Sequence, residues 1–63
     1  MNWHIVTRGV EWRDSSSGFS VTYKADSPWG AGFRLVKKQG MTYEFHGVYG
    51  TLAEAKTAAR EMA

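Results

Sequence analysis

The chemistry open to this chain is limited because few reactive side chains stand close together. A run of serines at positions 15–17 precedes a glycine, but no base is adjacent and no G-x-S-x-G nucleophile elbow surrounds it. Glu44 and His46 stand two residues apart, so on a strand they would share a face and could exchange a proton. A hydrated loop and two polar residues on an open face explain these patterns more simply. We therefore expect no catalytic residue and no enzymatic activity.

The chain also has few residues that could bind a metal or a cofactor. The chain has no cysteine, and its histidines, His4 and His46, lack the nearby ligands that a zinc site needs. The glycines of segment 30–32 connect two predicted strands and open no helix, so they do not form a phosphate-binding loop. We expect neither a metal nor a cofactor.

Cationic side chains are the one chemical feature that the sequence concentrates. The net charge is only +2, yet the segment 24–38 contains four cations and only one carboxylate, that of Asp26. These cations are Lys24, Arg34, Lys37 and Lys38. An excess of positive charge attracts phosphate. Any attraction to phosphate would therefore come from the sheet region and not from the C-terminal helix, where the charges balance, although a solvated surface also produces such imbalances by chance.

Four segments alternate apolar and polar residues with the period of two that is typical of half-buried strands. They are residues 2–8, 18–25, 32–38 and 41–49. In the second, Phe19, Val21 and Tyr23 are predicted on the core face. In the third, Phe33 and Leu35 are predicted there. Turn-forming residues separate the segments at 14–18, 26–32 and 37–40.

The fourth segment shows the same alternation. The residues predicted on its core face are Met41, Tyr43 and Phe45. This phase leaves Glu44 and His46 on the solvent face. Gly47 interrupts the segment and indicates either a bulge or a point where strand pairing loosens.

A C-terminal helix is predicted after the last strand. Thr51 and Glu54 form the T-x-x-E pattern of a capping box, and small or apolar residues then recur every three or four positions, as on one helix face. These are Leu52, Ala55, Ala59 and Met62. The whole pattern predicts an α+β fold (ββββα), a three- to four-stranded antiparallel sheet with one C-terminal α-helix packed on one face. We expect residues 1–63 to form a single domain.

Size and composition set the limits of this fold. A chain of 63 residues buries only about 60% of its unfolded surface, and without cysteine it has no disulfide to add stability. Aromatic residues at 14% supply large side chains for a small core. No stretch of about 20 apolar residues is present and the N-terminus lacks a signal-peptide pattern, so we expect a cytoplasmic protein.

The solvent face of the predicted sheet is the best candidate for a binding surface. Hydroxyl and cationic side chains would line it, and a small twisted sheet of this kind can enter the major groove of DNA. The hydroxyl and cationic residues predicted on this face are Ser20, Thr22, Lys24, Arg34, Lys38 and Thr42, and Val36, Glu44 and His46 are predicted beside them. Trp12, Arg13 and Trp29 are expected on loops near its edges. The two tryptophans could instead fill the core beneath those loops, and both interpretations stand.

Two stretches of the chain resemble a known DNA-binding family. Residues 8–24 and 43–59 are similar to the ethylene-response-factor (Apetala-type) DNA-binding domain and to its relatives in phage homing endonucleases and in the arm-binding domains of tyrosine recombinases. Gly9, Val10 and Trp12 match an early G-V-x-W strand element. The later aromatic-Gly-x-aromatic-x-T-x-x-E-A element is matched by Gly47, Tyr49, Thr51, Glu54 and Ala55.

The resemblance implies a sheet that reads DNA with arginines and tryptophans while its helix packs behind. Carried over to the matching positions, it implies contacts by Arg8, Trp12, Arg13, Thr22 and Lys24. The charge pattern and the exposed loop add to this set Trp29, Arg34, Lys37 and Lys38.

We therefore expect a small non-enzymatic module that binds DNA. The alternative is a phage or mobile-element protein that modulates or inhibits a host protein, including a defence component, because tryptophan, tyrosine and arginine are the anchors that protein interfaces favour. With either function, the open edges of the sheet could pair two copies into a homodimer.

Overall fold

The computed structural model describes residues 1–26, 28 and 30–62 and folds them into one five-stranded sheet followed by one helix. The elements are β1 (Trp3–Thr7), β2 (Glu11–Asp14), β3 (Phe19–Lys24), β4 (Gly32–Gln39), β5 (Thr42–Tyr49) and α1 (Leu52–Met62). Every neighbouring pair of strands is antiparallel, and the spatial order follows the chain order. The predicted α+β class, with an antiparallel sheet and a C-terminal helix, is confirmed. The sheet has one strand more than the upper prediction.

The additional strand is β2, which carries Trp12 and Arg13. Both were expected on loops near the sheet edge, and this placement was wrong. The alternative given for Trp12, that it fills the core, is confirmed, because Trp12 is partly buried against the core cluster. Trp12 lies between Ile5 of β1 and Val21 of β3, paired on both sides. Only four residues long, β2 is too short to display the alternation by which a strand is recognised in a sequence.

The core lies between the sheet and α1. Phe19, Val21 and Leu35 of the sheet meet Ala55 and Ala59 of the helix, and none of the five is more than 1% exposed. A small residue on one layer opposite large residues on the other lets the two layers interdigitate closely. The predicted core faces of the second and third segments are confirmed in these residues, whereas Tyr23, predicted with them, lies on the same side of the sheet but is exposed.

The helix covers only part of the sheet. It packs on β3, β4 and β5, so Ile5 on β1 remains exposed although its neighbour Trp12 packs against the core. Leu52 also packs against the core, whereas Met62, the last residue of α1, is exposed. The predicted apolar helix face is therefore correct over its first two turns and wrong at its end.

Thr51 caps the start of α1, as predicted. Its Oγ1 accepts a hydrogen bond from the backbone N–H of Glu54 at 3.1 Å and donates one to Glu54 Oε1 at 3.1 Å. The first of these bonds satisfies one of the amide groups that a helix leaves unpaired at its N-terminus. The second holds the carboxylate beside the positive end of the helix dipole.

Asp14, at the end of β2, is a buried carboxylate that joins three parts of the chain. It accepts hydrogen bonds from the backbone N–H of Asn2 at 2.8 Å, from Ser16 Oγ at 2.9 Å and from Ser17 Oγ. The serine run therefore has a structural role, since two of its hydroxyls solvate this carboxylate in place of water. Burial raises the pKa of the Asp14 carboxyl, but the hydrogen bonds from Ser17, Asn2 and Ser16 outweigh it and hold that pKa well below its ordinary value.

Asp14→Asn is expected to lower the free energy of unfolding by about 1–3 kcal/mol, the usual effect of mismatching buried hydrogen-bonding groups. Because the pKa of Asp14 is depressed on folding, its stabilising effect is complete above the unfolded pKa of about 3.9 and is lost as the pH falls below it. The difference in the free energy of unfolding between wild type and Asp14→Asn should therefore be smaller in acid. Urea unfolding at about pH 7 and at about pH 3 measures this difference.

Asp26→Asn provides the matched control, because Asp26 is exposed in the bend that follows β3. It should leave the unfolding midpoint unchanged. An acid dependence as steep in Asp14→Asn as in wild type would contradict the role given to this carboxylate.

Candidate functional site

The side of the sheet opposite α1 is the candidate site, and we call it the open face. Strand register places on it the side chains that alternate with the core residues. From β2 to β5 they are Glu11, Arg13, Ser20, Thr22, Lys24, Arg34, Val36, Lys38, Tyr43, Phe45 and Val48. The outward positions predicted on the second and third segments are confirmed.

Arg34 occupies the middle of the open face. Its neighbours across the sheet are Thr22 on β3 and Val48 on β5, and it lines a shallow depression together with Arg13 and Tyr43. The Nε atom of Arg34 is buried and has no hydrogen-bond partner among the described residues. A buried donor without an acceptor is rare in proteins.

A second depression adjoins the first. It is lined by Lys38, by the carboxylate residue Asp14 and by Ser15 and Gly18 of the turn before β3, and it shares Arg13, Ser20 and Tyr43 with the depression around Arg34. The two together form a track across the open face. Arg34 lies in its first half and Lys38 in its second.

Glu11 is the carboxylate on this face. Its Oε2 lies 3.1 Å from Nη2 of Arg13, two residues along the same strand. This partly exposed pair contributes little to stability, but it offsets the charge of Arg13. Within the described part of the chain, neither Arg34 nor Lys38 forms an ion pair. The open face thus keeps a net positive charge.

A bulge in β5 reverses the predicted phase of this strand. Gly47 lies opposite Leu35, but Phe45 lies opposite Val36, so His46 is an extra residue between the two pairs. Gly47 has a φ of 135°, a conformation that side chains disfavour. A bulge was one of the two alternatives predicted at this glycine, and it is confirmed. Because of the extra residue, each residue of β5 before the bulge lies on the face opposite to the predicted one.

The prediction that Tyr43 and Phe45 face the core is therefore wrong. Both lie on the open face, where they are 63% and 48% exposed. Met41 was also predicted inward, but it is exposed in the turn between β4 and β5. That turn consists of Gly40 and Met41, so β4 continues through most of the segment predicted as a turn.

Thr42, Glu44 and His46 were predicted on the solvent face, but they lie on the helix side. His46 Nε2 is 2.8 Å from Glu44 Oε1, and the His46 ring meets the Phe19 ring edge-on at 5.6 Å between centroids. Lys37 lies on the same side, paired with Glu44 across the sheet, with its Nζ 5.2 Å from the centre of the Phe19 ring. These residues pack along the margin of the core.

The structure thus separates the predicted binding residues. It brings together on the open face Arg13, Thr22, Lys24, Arg34 and Lys38. It places Trp12 and Lys37 on the helix side, and Arg8 in the exposed turn between β1 and β2. Trp29 lies outside the described residues. Sequence reasoning missed Tyr43 and Phe45, and the signal that could have found them is Gly47, because a bulge there inverts the strand before it.

The described residues include no group of three or more histidine and acidic side chains placed to hold a metal ion. The helix α1 has 11 residues and is too short to cross a membrane. Among the described residues, no helix is both long enough and apolar enough to do so. Comparison with protein families, with curated proteins and with solved structures finds no match for this chain.

Gly47→Ala is expected to lower the free energy of unfolding by about 1–3 kcal/mol, because alanine is strained at this positive φ. Gly50→Ala is the control. It makes the same substitution where φ is not positive and where the new Cβ would lie 3.6 Å from Glu54 Oε1, an ordinary contact. Its effect should stay within about 0.5 kcal/mol. Equal losses in the two variants, measured by urea unfolding, would contradict the requirement for glycine at the bulge.

Proposed function

We propose that this protein is a non-enzymatic module that binds DNA through the open face. The observation that carries the proposal is the concentration of cations on this one surface, where the opposing carboxylates among the described residues are Glu11 and, in the second depression, Asp14. The cations are Arg13, Lys24, Arg34 and Lys38. Surfaces of this kind bind nucleic acid mainly by neutralising phosphates and releasing the counterions that surround them.

The cations have different chemical roles in this proposal. Arg34 sits in the depression with a planar guanidinium, which can form paired hydrogen bonds to phosphate or to the edge of guanine. Lys38 is exposed and acts as a mobile point charge for the backbone. The hydroxyl of Thr22, beside Arg34, can donate a further hydrogen bond to phosphate or base.

The Apetala-type resemblance supports the same surface. Arg13, Thr22 and Lys24, three of the five contacts that it implies, lie on the open face, and α1 packs behind the sheet as in that family. A role on DNA also agrees with the cytoplasmic location and the phage or mobile-element origin expected from the sequence.

Inhibition of a host protein remains the second hypothesis, with less support. Its motivation was the number of tryptophans, but Trp3 and Trp12 both pack against the core. Homodimerisation through the edge strands β1 and β5 also stays a hypothesis, and light scattering tests it through the mass in solution.

The adjacent residues Lys37 and Lys38 give a direct test, because they carry the same charge on opposite sides of the sheet. Lys38→Gln should weaken binding to DNA. It should also reduce the magnitude of the slope of log K against log salt concentration by about one. Lys37→Gln should leave both quantities unchanged. Fluorescence anisotropy with labelled single-stranded and duplex DNA over a salt series measures the two.

Two results would overturn the proposal. One is the absence of binding to either form of DNA at about 100 μM protein in low salt. Such a result would mean an affinity weaker than that of ordinary non-specific DNA binding. The other is an equal loss of affinity in the two variants, with circular dichroism showing that both are folded.

Removal of the carboxylate should have the opposite effect. Glu11→Gln releases Arg13 from its ion pair, so DNA affinity should rise by up to about fivefold, since an exposed pair holds at most about 1 kcal/mol. Glu61→Gln makes the same charge change on α1, away from the open face. The same anisotropy titration compares them. An equal gain in the two variants would indicate that only net charge matters.

A further inference from the structure

Two aromatic rings stand on the open face without being part of the core. Tyr43 is 63% and Phe45 is 48% exposed, whereas Phe19, on the other side of the sheet, is 1% exposed. Because Tyr43 and Phe45 are alternate residues of one strand, their Cα atoms lie about 6.8 Å apart and their side chains rise from the same face. The rings therefore form a short row along β5.

Cations flank this row. Lys38 is the cross-strand partner of Tyr43, and Arg34 is the partner of Val48, beyond Phe45 on the same face. Tyr43 also lines both depressions of the open face, next to Arg34 in one and to Lys38 in the other. A cation thus lies near each end of the row of rings.

Rings placed in this way gain little from a duplex whose bases stay stacked. In a duplex the faces of the bases are covered by their neighbours, and the grooves present only base edges. In a single strand the base faces are free, and they stack on exposed aromatic side chains while cations hold the backbone. We propose that the open face binds single-stranded DNA, with Tyr43 and Phe45 stacking on bases and Arg34 and Lys38 holding phosphates; this inference rests on the proposed function.

The surroundings of Phe45 favour deoxyribose over ribose. Val36 is the cross-strand partner of Phe45, and Val48 lies on the same face of β5. Neither side chain can hydrogen-bond a ribose 2′-hydroxyl, the group by which proteins distinguish RNA from DNA. Covering that hydroxyl without a partner is unfavourable, so RNA should bind more weakly than DNA of equivalent sequence.

The test uses the full chain and three labelled probes. They are an oligothymidylate of about 20 nucleotides, longer than the roughly 4–16 nucleotides that a small single-strand-binding domain occupies, the same strand annealed to its complement, and an oligouridylate of equal length. Fluorescence anisotropy at low salt should rank the affinities with single-stranded DNA first. Tyr43→Leu should weaken binding to the single strand by about 5- to 150-fold, the range of one stacking contact.

Tyr43→Phe is the matched control, because it keeps the ring and removes only the hydroxyl. It should retain wild-type affinity within about twofold if the interaction is stacking. Phe45→Leu should behave like Tyr43→Leu. In NMR spectra the ring protons of Tyr43 should shift upfield on addition of oligothymidylate, which reports a base above the ring.

The outcomes separate this inference from the proposed function. Duplex DNA bound as tightly as single-stranded DNA, with no loss in Tyr43→Leu but a loss in Lys38→Gln, would overturn the inference and leave the DNA-binding proposal intact. Tighter binding of oligouridylate would overturn the choice of DNA. If none of the probes binds, both proposals fail.

Discussion

The contact between α1 and the sheet is the interaction on which the rest of this structure depends. A helix of 11 residues is marginal alone, and a sheet is stable only when one face is covered. Ala55 and Ala59 meet Phe19, Val21 and Leu35 with no bulkier group between them. Because the described chain has one helix to cover two faces, the opposite face stays open to solvent. The candidate site is therefore a consequence of how this core is built.

The bulge in β5 connects this core to the open face. After it, Tyr49 packs against the core, and before it, Phe45 and Tyr43 point away from α1. One strand thus supplies an aromatic residue to each side of the sheet, which strict alternation of odd-numbered residues could not do. The conformation of Gly47 makes this division possible.

The parts of this structure that could be predicted from the sequence are those governed by local, repeated signals. The alternation of Phe19 and Val21 with polar residues was enough to orient β3, and Thr51 was enough to place the start of α1. The position of Trp12 was not predictable in this way, because a four-residue strand carries almost no periodicity. The rings on β5 were missed because a single extra residue, His46, inverts the pattern before it.

Exposed rings on an edge strand are a hazard for a small protein, since they add apolar surface beside unpaired backbone groups and favour association. Here Lys38 lies directly opposite Tyr43, and Arg34 lies within the same depression. If two copies met through their open faces, these cations would oppose each other, and like charges brought together at an interface are unfavourable. A polyanion meets the same surface with the complementary charge. The cations beside the rings therefore disfavour a second copy of the chain and are complementary to phosphate, as the proposed binding of DNA requires.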